Sequence, residues 1–244
     1  KHVPACEYNP VEAVRTNVDG AINVINAALD THVKKVIALS TDKAANPVNT
    51  YGATKLASDR LFIQSNCYRG EQQRDTRFSV VRYGNVMASR GSVIPLFRKQ
   101  AESGVLTITD PRMTRFWITL PHAVDFVLTS FEYMQGGELY VPKIPSMKIT
   151  DLAKVVAPKA KLKTVGIRPG EKLHESLITR EEGALAREMK DRYVVLSASA
   201  EWRYDKSEYM RLKKVKEGFE YDSYHNPKYM TQKEMQKLLE ELGV

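Results

Sequence analysis

Long apolar runs are missing from this chain of 244 residues. The uninterrupted ones, such as Val36-Ile37-Ala38-Leu39, cover only a few residues, far short of the ~20 that a membrane-spanning helix needs. No membrane span is expected, and the opening residues Lys1-His2-Val3-Pro4-Ala5-Cys6-Glu7 lack the apolar stretch of a signal peptide. Cysteine is scarce: Cys6 and Cys67 are too few for a disulfide framework, which points to a reducing, cytoplasmic setting. Neither they nor the five histidines show metal-ligand spacing, so no metal is expected. Basic residues form nothing longer than adjacent pairs such as Lys34-Lys35 and Lys213-Lys214, which weighs against a nucleic-acid tract. Glycine-rich phosphate turns are absent too, since neither G-x-G-x-x-G nor G-x-x-G-x-x-G occurs.

What is present is ordinary for a folded chain: 43% hydrophobic and 27% charged residues, which excludes disorder and fibrous repeats. The net charge of +8 suits an anionic partner, whether nucleic acid, an anionic membrane face or a phosphorylated small molecule.

Between Asn9 and Leu29 the apolar residues Val11, Val14, Val18, Ala21, Ile22, Ile25, Ala28 and Leu29 recur at three and four, which predicts one helix with a buried face. Val36-Ile37-Ala38-Leu39 then reads as a strand buried on both faces of a parallel sheet. A second helix is expected from Tyr51 to Cys67, a second buried strand over Phe78–Tyr83, and a further helix from Pro121 to Tyr133 that stops at Gly136-Gly137. Helix and strand in succession predict an α/β fold with a doubly wound parallel sheet. Beyond residue 137 the alternation weakens, and the strand candidates Leu139–Val141, Thr164–Ile167 and Tyr193–Leu196 suggest a smaller α+β lobe. Near the C-terminus Thr231 and Glu234 have capping-box spacing ahead of Met235, Leu238, Leu239 and Leu242.

The chemistry gathers where the first strand ends. Ser40-Thr41-Asp42-Lys43 turns abruptly polar there, and open α/β sheets bind ligands beyond the carboxyl ends of their strands. Tyr51 and Lys55 are four residues apart and share a helix face. An ammonium beside a phenol favours the phenolate, so Lys55 is expected to lower the Tyr51 pKa and fit it to exchange a proton with an alcohol. Thr41 is placed to hydrogen-bond the same oxygen. Alone, the Tyr-x-x-x-Lys spacing is common by chance and usually a surface aromatic beside a lysine stem, and Asp42-Lys43 alone fits a solvated turn with a helix-capping Asp.

Taken together, Ser40-Thr41-Asp42-Lys43, Tyr51-Gly52-Ala53-Thr54-Lys55, Arg82-Tyr83-Gly84-Asn85-Val86, Ser89-Arg90-Gly91-Ser92-Val93, Met113-Thr114-Arg115-Phe116-Trp117 and Ile167-Arg168-Pro169-Gly170-Glu171-Lys172-Leu173-His174-Glu175 resemble the extended short-chain dehydrogenase/reductases. Within them the match is to the inverting UDP-N-acetylglucosamine 4,6-dehydratases of pseudaminic acid synthesis and flagellin glycosylation. The resemblance runs along nearly the whole chain. It implies a Rossmann-type sheet, NADP (or NAD) as cofactor, UDP-N-acetylglucosamine as substrate and a homo-oligomer. The implied product is UDP-2-acetamido-2,6-dideoxy-β-L-arabino-hex-4-ulose. By the same resemblance Lys43 is the C5 base, Asp42 the acid at the C6 oxygen, and Tyr51 the C4 proton acceptor held by Lys55 and Thr41. Lys1, Tyr51 and Lys55 would meet the cofactor, and Lys1, Asn85, Val86, Arg90, Gly91, Ser92, Val93, Arg112, Arg115 and Arg168 the nucleotide-sugar. For Arg112 a structural salt bridge is a serious rival, and His174 is expected to be structural.

In that family the glycine-rich turn lies upstream of the point matching Lys1, so the sheet is expected to be N-terminally incomplete and these residues alone inactive. Residues 1–136 would then be the C-terminal portion of the dinucleotide-binding domain with the catalytic residues, and 137–244 mainly the substrate-binding lobe with a C-terminal helix. A nucleotide-sugar 4-epimerase, a retaining or capsule-type dehydratase and, outside the enzymes, an inactive truncated fragment or an interaction module stay open as alternatives.

Overall fold

A computed structural model describes residues 3–68, 75–89, 91–198 and 208–243. The chain divides into two units that interleave along the sequence: Lys1–Tyr83, Val124–Lys143 and Ser176–Tyr221 form the first, and Gly84–Ala123, Ile144–Glu175 and Asp222–Val244 the second. The boundary expected at residues 136 and 137 therefore falls inside the first unit. Its cause is strand pairing between distant segments, which no local change of composition announces.

The first unit opens with helices α1 (Val3–Tyr8), α2 (Pro10–Val14) and α3 (Gly20–Asp30). The single helix expected over residues 9–29 is broken by a π-helical turn at Arg15–Asp19, where Asn17 Nδ2 donates to Thr54 Oγ1 at 3.0 Å. Such bulges insert one residue per turn and re-aim side chains. Strand β1 (Lys35–Thr41), helix α4 (Thr50–Gln64) and strand β2 (Arg77–Tyr83) follow. β1 and β2 are parallel, in register from Lys35 opposite Arg77 to Thr41 opposite Tyr83. The strand Leu139–Pro142 joins β2 in parallel, after which Arg192–Val195, Ala186–Glu188 and Lys213–Lys214 add antiparallel. The parallel half with its intervening helices is the expected Rossmann-type arrangement, and the antiparallel extension explains why alternation faded beyond residue 137.

β2 has both faces covered, with Phe78, Ser79, Val80, Val81 and Arg82 all buried. β1 departs from the expectation: its apolar residues are half-buried and Leu39 is 51% exposed. Among the described residues β1 is the outermost strand of this sheet and pairs with β2 alone, so a run of branched residues did not suffice to predict burial on both faces. Val81, Phe126, Met134, Tyr140 and Val194 form this unit's core.

In the second unit Asn85–Val86 pairs in parallel with Thr114–Ile118, which pairs antiparallel with Ser146–Lys148. A separate parallel pair joins Val105–Ile108 to Lys161–Thr164. The strand expected over Thr164–Ile167 thus lies earlier, because Gly166 turns the chain with φ +88°. Ile94, Phe97, Leu106, Trp117, Leu152 and Met235 build the core. Helix Gln232–Glu241 carries the expected capping box, with Thr231 Oγ1 accepting from Glu234 N and the Glu234 carboxylate accepting from Thr231 N. Among the described residues no helix is long and apolar enough to cross a membrane.

Candidate active site

In the first unit the site is assembled from the end of β1 and the start of α4. Thr41 closes the strand in extended geometry and caps the 3₁₀ turn Asp42–Ala44, its Oγ1 accepting from Lys43 N at 3.4 Å and donating to Asp42 Oδ1 at 2.9 Å. Lys43 Nζ donates to the same Oδ1 at 2.9 Å. Asp42 is buried at 1% side-chain exposure while Lys43 keeps 26%, so an ion pair leads from the interior toward solvent. Asn49 then caps α4 by accepting from Gly52 N at 2.7 Å.

Gly52 permits the site's tightest approach. A Cβ there would overlap the Lys43 carbonyl oxygen and stand 3.0 Å from both the Lys43 carbonyl carbon and Pro47 Cβ. The first turn of α4 therefore presses on the turn that bears Asp42 and Lys43. Tyr51, one residue earlier, has Thr41, Lys43 and Asp42 around its phenol. Burial pushes the phenol above its ordinary value; Lys43 and a Thr41 hydrogen bond pull it down, and Asp42 pushes it up. The expected lowering by Lys55 is thus corrected on two counts, for the net direction is upward and the opposing cation is Lys43. The physical reason is where Lys55 goes: its Nζ donates to Leu39 O at 2.8 Å, on the backbone of β1. Burial lowers the Lys55 ammonium and Asp59 opposes that.

The second unit gathers much of the expected nucleotide-sugar set around a cavity of about 280 Å³. Asn85, Gly91, Ser92, Val93, Arg115 and Arg168 all line it. Asn85 Oδ1 and Ser92 Oγ are buried there without a hydrogen-bond partner among the described residues, an arrangement that awaits a polar ligand. Gly91 takes φ +72°, and Ser92 stands ahead of the helix Val93–Ala101. Val86 sits on its short strand opposite Ile118 and is not part of the lining.

The arginines divide. Arg168 is 63% exposed at the cavity, 4.0 Å from Glu171. Arg115 is mostly spent on its own unit, with donors on the carbonyls of Thr114 (2.7 Å), Leu173 (3.1 Å) and Lys172 (2.9 Å). It clamps the loop that carries Arg168. Arg112 lies outside the lining and grips Asp110 with a two-pronged pair, Nε to Oδ1 at 3.0 Å and Nη2 to Oδ2 at 2.8 Å. The salt-bridge alternative for Arg112 is the one observed. Lys1 and Arg90 lie outside the described residues.

A profile of a family described as "Polysaccharide biosynthesis protein" matches residues 1–197. The chain belongs to this family. As a polysaccharide biosynthesis protein it is 53% identical over 243 residues to the UDP-N-acetylglucosamine 4,6-dehydratase (inverting) of Campylobacter jejuni subsp. jejuni serotype O:23/36 (strain 81-176), covering 96% of this chain and 72% of that protein. It is also 44% identical over 244 residues to a UDP-glucose 4-epimerase of Rickettsia conorii, covering 98% of this chain and 71% of the relative. Among solved structures, Pen from Bacillus thuringiensis superposes with a TM-score of 0.88 at 37% identity, over 100% of this chain and 74% of that one.

The spacing-based reading singled out Thr41, Asp42, Lys43, Tyr51 and Lys55, which lie at the end of β1, the turn after it and the start of α4, and gave no role to Gly52, Asn49, Ser40 or Asp59. Asn49 carried a usable signal as an N-cap three residues before Gly52. Asp59 carried one in its i, i+4, i+8 relation to Lys55 and Tyr51.

Proposed function

We propose that this chain carries the catalytic and sugar-binding residues of a UDP-N-acetylglucosamine 4,6-dehydratase that inverts C5. The observation that carries this reading is the Asp42–Lys43 ion pair, 2.9 Å long and set beside the Tyr51 phenol. Simple alcohol oxidation needs Tyr51 and Lys55; water loss across C5 and C6 needs a second base and a second acid.

The ion pair can supply both. Moving one proton along the bond from Lys43 Nζ to Asp42 Oδ1 leaves a neutral amine and a carboxylic acid. The amine removes the C5 proton, which a ketone at C4 has made acidic, and the acid protonates the departing C6 hydroxyl, so that water leaves. The pair ends as ammonium and carboxylate, as it began. Tyr51 takes the C4 hydroxyl proton during oxidation and releases it to solvent, since C4 stays a ketone in the product, and C5 takes up a solvent-derived proton as hydride reaches C6.

The donor set fits a nicotinamide riboside. An ammonium has three N–H donors, one of Lys55's lies on Leu39 O, and the Tyr51 phenol shares its helix face. A bound nicotinamide coenzyme, NADP or NAD, would supply the hydride acceptor for oxidation at C4 and the hydride for C6. In the second unit Arg168, Asn85 and Ser92 suit the anionic and polar groups of a UDP-sugar, Arg being the side chain whose fork matches phosphate oxygens. The likeness to the Campylobacter dehydratase supports the same substrate; a place in pseudaminic acid synthesis, cytoplasmic work and a homo-oligomer belong to this proposal on the motif resemblance alone.

The deciding experiment gives full-length enzyme UDP-N-acetylglucosamine in deuterated water and follows the product by NMR. A 4-keto-6-deoxy sugar labelled at C5, with inverted configuration, is the expected result. The Rickettsia relative favours 4-epimerisation as the second reading, and a C4 epimer that retains its C6 hydroxyl would decide for it.

A further inference from the structure

Asp59 is a buried carboxylate that the steps above leave unused. It lies four residues beyond Lys55 and eight beyond Tyr51 on α4, spacing that stacks all three on one helix face. Its side chain is 2% exposed. Oδ2 accepts from Ser40 Oγ at 2.6 Å and from Arg82 Nη2 at 3.3 Å. Ser40 immediately precedes Thr41, and Arg82 stands opposite Ser40 in the β1–β2 register. Arg82 Nη1 continues to Glu182 Oε2 at 2.7 Å and Leu177 O at 3.1 Å. Charges thus alternate from Lys55 through Asp59 and Arg82 to Glu182, next to the strand end that bears the site.

A buried ion pair is poor evidence of a stabilising role, because desolvation consumes what the attraction returns and apolar residues of equal volume often serve as well. This one adjoins Lys55. We propose that Asp59 is a positioning residue of the Tyr51–Lys55 pair: its carboxylate, fixed by Ser40 and Arg82, is the counter-charge that keeps the Lys55 ammonium protonated and seated on the Leu39 carbonyl. The proposal rests on the dehydratase reading only for its catalytic consequence.

Among the described residues, several other ionisable groups on elements packed against α4 are engaged elsewhere. Glu7 on α1 accepts from Thr50 N, Glu12 on α2 pairs with Arg15 on the π turn, and Lys43 pairs with Asp42. Asp59 is the charged group that acts on Lys55, pushing it up against burial. Asp59 itself is pushed up by burial and pulled down by Arg82, Ser40 and Lys55.

The test compares full-length wild type with Asp59→Asn and Asp59→Glu. Lys55 is labelled with acetic anhydride across pH, and its peptide is quantified by mass spectrometry. In Asp59→Asn the Lys55 labelling curve should move about one pH unit lower, roughly tenfold more neutral amine at a given pH, and Asp59→Glu should track wild type. In turnover, the alkaline limb of kcat should shift the same way in Asp59→Asn, with KM for UDP-N-acetylglucosamine held within about twofold. An unmoved Lys55 curve in folded Asp59→Asn, or an unmoved kcat limb, overturns the proposal. Should circular dichroism show Asp59→Asn unfolded, Ser40→Ala takes its place: a smaller shift in the same direction supports the role and none overturns it. If wild type turns over no UDP-N-acetylglucosamine, the dehydratase reading fails while the labelling curve still decides the role of Asp59.

Discussion

Replacing Gly52 by alanine sets two opposed effects against each other, and their sizes decide the outcome. Alanine is the better helix former by roughly 1 kcal/mol in a helix interior, and less in a first turn such as this one. Against that, the new methyl would overlap the Lys43 carbonyl oxygen and lie 3.0 Å from the Lys43 carbonyl carbon and Pro47 Cβ, where carbon pairs prefer about 3.5–4.0 Å. The obstacles are a backbone carbonyl and a ring, so the whole first turn of α4 must withdraw, by about 1 Å. Overpacking of this kind costs about 1–3 kcal/mol, which exceeds the propensity gain. For a chain of this size each 1 kcal/mol moves Tm by about 2–4 °C, so Gly52→Ala should melt a few degrees lower. The larger effect is on turnover: withdrawing Tyr51 from Asp42 and Lys43 by about 1 Å should lower kcat by about 100-fold. Calorimetry and steady-state kinetics on full-length enzyme provide both numbers. A Gly52→Ala enzyme that melts at or above the wild-type temperature with kcat within threefold of it would refute the close-approach argument.

Lys43→Ala removes the base and half of the proton-holding pair, so dehydration should fall by about 10²–10⁴ while UDP-N-acetylglucosamine binding, measured by calorimetry, is retained. Arg168→Ala should raise KM about tenfold or more, the size of one charge-assisted hydrogen bond. Arg112→Ala should leave KM within about twofold, because that guanidinium is exposed and committed to Asp110. His174 hydrogen-bonds Thr114 Oγ1 through Nδ1 at 2.8 Å, and burial holds its pKa below the ordinary 6.5, with Asp222 opposing. A histidine whose folded pKa is depressed stabilises above its unfolded pKa and loses that contribution as pH falls through the folded value. The protection factors of the amides in residues 168–175, corrected for the intrinsic exchange rate, should therefore fall as pH drops below 6.5, and His174→Gln should flatten the response.

Much of the site was legible because its members are local. Thr41, Asp42 and Lys43 follow a strand whose end the branched run Val36–Leu39 announces, and Tyr51 and Lys55 are tied by helix geometry. The same locality accounts for the errors. Lys55 looked like the cation acting on Tyr51 because spacing counts residues along a helix; it does not show that the ammonium lands on the Leu39 carbonyl while Lys43 acts on the phenol from outside the helix. Arg112 and Arg115 both looked like phosphate ligands on motif grounds, yet Asp110 claims Arg112, and Arg115, though it lines the cavity, spends donors on three carbonyls. A fork of five donors satisfies a backbone as readily as a phosphate, and only the surroundings distinguish the two.

By itself the sequence determined the α/β class, the strand end and helix face that bear the candidate site, and the capped C-terminal helix, all of which depend on patterns repeated within a few residues. Tertiary structure alone decided the interleaving of the two units, the pressure of Gly52 on Lys43, the loop clamp at Arg115 and the charge row from Lys55 to Glu182. Most of those features join residues far apart in the chain, 100 positions in the case of Arg82 and Glu182, and the energy that selects them resides in desolvation and contact geometry, which no spacing records.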